Sequence, residues 1–120
     1  MMNFALIAAT LLMGQTADSS TRFVCTTAEK YVCTMGVGCQ AGVTGAWAVV
    51  DFATGEYQRC DARGCDTYSA TVTPSGQVIN VEVPGKAAFI KVLPGGAFSE
   101  VASAGAMTIL SYGYCVPQAA

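Results

Sequence analysis

Between positions 46 and 112 the chain alternates apolar and polar side chains in short runs, the pattern of strands that bury one face and wet the other. In 77–83, Ile79, Val81 and Val83 share one face while Val78, Asn80 and Glu82 share the other. The run 65–72 sets Tyr68, Ala70 and Val72 against Thr67, Ser69 and Thr71. In 87–93, Ala88, Ile90 and Val92 line one face, with Phe89 and Leu93 beside Lys91 on the other. That run is largely apolar on both faces, which predicts a central strand. On the strand expected at 46–52, Trp47 shares a face with Val49 and reads as core.

Glycines punctuate these runs at 45, 55, 64, 76, 85, 95–96 and 105, the rhythm of an antiparallel meander. Thr73-Pro74-Ser75-Gly76, Val83-Pro84-Gly85-Lys86 and Leu93-Pro94-Gly95-Gly96 read as turns, because Pro fixes φ near −65°. In the last two the following Gly is suited to the positive φ of a type II turn. Seven strands over 46–112, plus a first strand near 22–26, predict an all-β domain of seven or eight strands. A small up-and-down barrel and a two-sheet sandwich both fit. The stretch 26–45 has four glycines, two cysteines and no long alternation, and reads as a braced loop.

Composition agrees with the strand reading. Beyond residue 17 there are thirteen Val and three Ile but only two Leu. Residues 1–17 carry no charged side chain, and Phe4 to Met13 form an apolar run too short to span a bilayer. It reads as a secretory signal, leaving one domain over 18–120 in the periplasm or medium. A net charge of −2 with 12% charged residues supplies no basic stripe for nucleic acid or anionic lipid.

The six cysteines all lie in 18–120, an even number that reads as three disulfides in an exported protein. There is no His and no CxxC spacing, so no metal site is expected. A Cys60–Cys65 bridge across Asp61-Ala62-Arg63-Gly64 would set Arg59 opposite Asp66 and Tyr57 opposite Tyr68, both favourable cross-strand pairs. Proximity then pairs Cys33 with Cys39 and leaves Cys25 to join Cys115. Cys25–Cys39 with Cys33–Cys115 stays open as a rival, since six cysteines allow 15 pairings.

Catalytic machinery is hard to assemble without His and with oxidised cysteines. Asp51, Glu56, Asp61 and Asp66 are the candidates for a paired-carboxylate enzyme or a calcium site. Gly36-Val37-Gly38-Cys39-Gln40-Ala41 matches a dinucleotide fingerprint but lacks its strand–helix context, and no cofactor is expected. The loop 61–64 presents Asp61 and Arg63 on a disulfide-braced turn and is the candidate binding element. These readings favour a non-enzymatic binding or inhibitory module whose partner is an envelope protein or small ligand. The alternatives are an apolar-ligand carrier with a barrel cavity and an envelope enzyme.

The pattern Tyr57-x-Arg59-Cys60-x-x-x-Gly64-Cys65-Asp66-x-Tyr68, with Phe98-x-Glu100-Val101 and Gly113-x-Cys115, resembles small exported cysteine-containing β proteins of Gram-negative bacteria that have no assigned function. In size, export and β content the chain is also similar to periplasmic lysozyme inhibitors of the small barrel type. Ser75-Gly76 matches a fragment of their Ser/Gly-rich inhibitory loop, and no Tyr follows it nearby.

Overall fold

The computed structural model describes residues 21–118, so the apolar run and signal expected at 1–17 lie outside the described residues. Ten strands follow in order: β1 (Arg22–Thr34), β2 (Gly38–Ala41), β3 (Trp47–Asp51), β4 (Glu56–Asp61), β5 (Gly64–Ser69), β6 (Thr71–Ser75), β7 (Val78–Val83), β8 (Ala88–Val92), β9 (Ala97–Ala104) and β10 (Met107–Pro117). A 3₁₀ turn, Pro84–Lys86, separates β7 from β8.

All the pairings are antiparallel, in the order β5-β4-β3-β1-β10-β9-β8-β7-β6, with β2 paired to the far half of β1. The two ends of that path are consecutive in the chain, with only Ala70 between them. One extended stretch therefore pairs β4 with its first half and β7 with its second. The sheet curls into a nearly closed up-and-down barrel. Side chains close the seam: Gly85 lets the Tyr68 ring come within 3.1 Å of where a Cβ would stand, and Lys86 Nζ lies 5.7 Å from the ring centroid.

The core is the barrel interior. Val50, Tyr57, Val81, Val83, Ile90, Val92 and Phe98 pack there around the Cys25–Cys115 bridge, with Tyr68, Ala70 and Val72 against them. The alternation in 65–72, 77–83 and 87–93 therefore holds, and β8 lies centrally between β7 and β9.

Four local expectations are corrected. Trp47 lies on the outer wall, 36% exposed, and Ala48 and Val50 face inward. β3 is apolar on both sides, so its alternation alone does not choose a face, and the smaller residues fit an interior already occupied by Tyr57 and Phe98. The stretch 26–45 is not a loop, because β1 runs on to Thr34 and folds back as β2. Alternation is missing there because most of this hairpin lies outside the barrel wall and β2 is exposed along its whole length. Pro74 sits within β6 opposite Ile79, on an edge where its missing N–H costs nothing. After Pro84 the left-handed residue is Ala87, at φ 49°, and not Gly85. The Leu93-Pro94-Gly95-Gly96 turn forms as expected, with Gly95 at φ 93° and the Gly96 N–H donating to the Leu93 carbonyl at 2.9 Å.

Candidate functional site

Highly exposed apolar side chains stand on the hairpin that β1 and β2 form beyond the barrel. A bulge between Thr27 and Glu29 re-aims the strand, and β3 flanks it only as far as Thr26. Beyond that point β1 pairs with β2 on one side and β10 on the other. The tip of the β1–β2 hairpin is fixed three ways: the Cys33–Cys39 disulfide crosses it, the Val37 N–H donates to the Thr34 carbonyl, and the Met35 N–H donates to Ala106 of the β9–β10 turn, both at 3.0 Å. The side chains it presents are apolar. Met35 is 81% and Val37 72% exposed.

The other braced turn holds the two residues chosen from sequence. The Cys60–Cys65 bridge forms, and β4 and β5 pair in the register it implies, Arg59 opposite Asp66 and Tyr57 opposite Tyr68. Within the turn the two charges satisfy each other. Asp61 accepts the Arg63 N–H at 2.8 Å and its guanidinium at 3.4 Å, and these bonds, the backbone one foremost, hold the Asp61 carboxyl below its usual range. Cys60 lies opposite Trp47, which lies opposite Thr26, eight residues along β1 from Thr34. At about 3.3 Å per residue, roughly 25 Å of strand separates the two braced turns, so they are separate surfaces.

Three of the four candidate carboxylates, Asp51, Glu56 and Asp61, accept hydrogen bonds from neighbouring groups. Asp51 accepts hydrogen bonds from Thr21 Oγ1 and from the Ala53 and Thr54 amides. Burial pulls its carboxyl up, but those bonds and Arg22 outweigh it and hold it below the usual range. Glu56 accepts from Arg22 at 2.8 Å. Arg59 does not pair with Asp66; its guanidinium lies 3.9 Å from Glu100 on β9.

Glu100 is the titratable residue that sequence reading passed over. It is buried inside the barrel, and burial raises its carboxyl above the usual range despite the opposing Arg59, Lys30 and Lys86. Nearby, burial and then the Glu100 charge push the Tyr57 hydroxyl up to about 12. The signal was present in β9, where Phe98, Glu100 and Ala102 share the inward phase.

An interior carrier site needs roughly 300 Å³ or more. The cavity beside Arg59 and Glu100 measures about 10 Å³, space on the scale of one water molecule and far below that volume. A depression of about 490 Å³ over Thr54, Glu56, Thr67 and Ser69 is open and mostly polar, unlike an apolar-ligand cavity. Among the described residues no helix is long and apolar enough to cross a membrane. The three disulfides fit an oxidising, non-cytoplasmic compartment. Comparison with protein families, with curated proteins and with solved structures finds no match to this chain.

Proposed function

We propose that this chain is an exported, non-enzymatic binding or inhibitory module of the periplasm or medium, and that it engages an envelope protein through the braced β1–β2 tip. The observation that carries the reading is the exposure of Met35 and Val37 on a turn fixed by Cys33–Cys39. A rigid apolar turn loses little conformational entropy on docking, and Met adapts its shape to a partner groove. The loop 61–64 is a weaker candidate, since Asp61 and Arg63 already satisfy each other. The likeness to exported β proteins of Gram-negative bacteria supports the same setting without naming a partner.

The test is crosslinking capture from envelope extracts with the wild type, with Met35→Ser/Val37→Ser and with Arg63→Ala. The tip variant is expected to lose a specific crosslinked species while keeping its melting temperature. A species retained by the tip variant and lost with Arg63→Ala would move the site to the other braced turn, and no specific species with any of the three would count against a binding module.

A further inference from the structure

The outer wall across β8, β9, β10 and β1 carries large side chains that no other part of the described chain covers. Phe89 is 59%, Tyr112 44% and Tyr114 64% exposed. Contiguous apolar surface of this kind marks an interaction site. The pairing registers give it an internal order. Lys91, Ser99, Tyr112 and Glu29 form one row across the four strands. The next outward position toward the C-terminus of β10 sets Tyr114 beside Ala97 of β9.

These rows complement themselves about the line between β9 and β10. Lys91 on β8 and Glu29 on β1 stand at mirror positions with opposite charge, and the large Tyr112 and Tyr114 stand at mirror positions to the small Ser99 and Ala97. We propose that this wall binds a second copy of the chain as a symmetric dimer, with the two-fold axis parallel to the strands between β9 and β10. Such an axis lays β10 of one protomer over β9 of its partner, so Tyr112 fills the space above the partner's Ser99 and Tyr114 that above the partner's Ala97. Lys91 then reaches the partner's Glu29, and both charge pairs form because the interface uses the same patch twice. The wall is convex, so the tyrosine rows make the closest contact and the longer Lys and Glu side chains bridge the widening flanks, an apolar centre with a charged rim.

An axis parallel to the strands preserves their direction. Both β1–β2 tips therefore emerge at the same end of the dimer, which would make a tip-binding module bivalent. This consequence rests on the proposed function; the dimer does not.

Sedimentation equilibrium of the purified, cell-processed protein over a wide concentration range tests the interface. The wild type is expected to associate reversibly to two copies. Lys91→Glu, which sets two carboxylates face to face, should weaken that association at least about tenfold, and adding Glu29→Lys should restore it. Ser99→Arg, which fills the space meant for Tyr112, should abolish it while circular dichroism and melting stay those of the wild type. A monomer at every concentration overturns the proposal. A dimer that both Lys91→Glu and Ser99→Arg leave intact, or a Lys91→Glu defect that Glu29→Lys fails to rescue, overturns this face and register.

Discussion

The Glu100 carboxylate on β9 lies 3.9 Å from the Arg59 guanidinium on β4, an ion pair that spans the barrel interior between strands with β3, β1 and β10 between them in the sheet. Burial still prevails over that attraction and holds the Glu100 carboxyl above its usual range. Two charges taken out of water regain only part of their solvation from each other.

This fixes a sign for the dependence of stability on pH. A carboxyl raised in the folded state keeps its proton there after the unfolded chain has released it. Its contribution is full below the unfolded value near 4.5 and is lost as pH rises through the folded value. Relative to Glu100→Gln, the wild type should therefore lose stability from pH 4 upward, read from urea unfolding at successive pH values. A wild type that gains on the variant over that range would show that the ion pair outweighs burial.

Burial foremost, and then the Glu100 charge, push the Tyr57 hydroxyl up to about 12. Absorbance titration to pH 11 should give the same tyrosinate amplitude for wild type and Tyr57→Phe. A lower amplitude in Tyr57→Phe would place the Tyr57 hydroxyl in water.

The disulfide that ties the chain ends should be worth more than the one across the β1–β2 tip. Cys25–Cys115 closes 90 residues and Cys33–Cys39 closes 6. The chain-entropy expectation is about 4.6 kcal/mol for the first and about 2 kcal/mol for the second. Replacing each pair by Ala should preserve that ranking in denaturant melts, and a reversed order would mean that packing around the sulfurs dominates.

Gly113 faces the interior beside β1. A methyl group there would collide with the Thr26 carbonyl oxygen and stand 2.8 Å from the Phe98 ring. Gly113→Ala should cost about 2 kcal/mol or more, since neither a strand backbone nor a packed ring gives way easily. A loss under about 0.5 kcal/mol in thermal unfolding would mean that the wall relaxes there.

Arg63→Ala should leave stability within about 0.5 kcal/mol of the wild type. Its side chain is 91% exposed, and its guanidinium meets Asp61 at 3.4 Å. A larger loss would mean that the turn, and not the disulfide, fixes the β4–β5 register.

What the sequence by itself determined was local. Period-two alternation set which residues of β7 and β8 face the same way, and turn chemistry set the corner at Pro94 and Gly95. A single assumed bridge at Cys60–Cys65 set the whole β4–β5 register, because in a hairpin one fixed pair dictates all the others. Only the tertiary structure decided which face of β3 turns inward, since a strand apolar on both sides satisfies the pattern either way. Closure was its decision too: joining β5 and β6 round Ala70 and pairing β1 with β10 made a barrel rather than a sandwich. The partner of Arg59 also waited for that closure. Cross-strand register offered the exposed Asp66, whereas the barrel brought Glu100 into reach from 41 residues further along the chain, by a contact that no local pattern encodes.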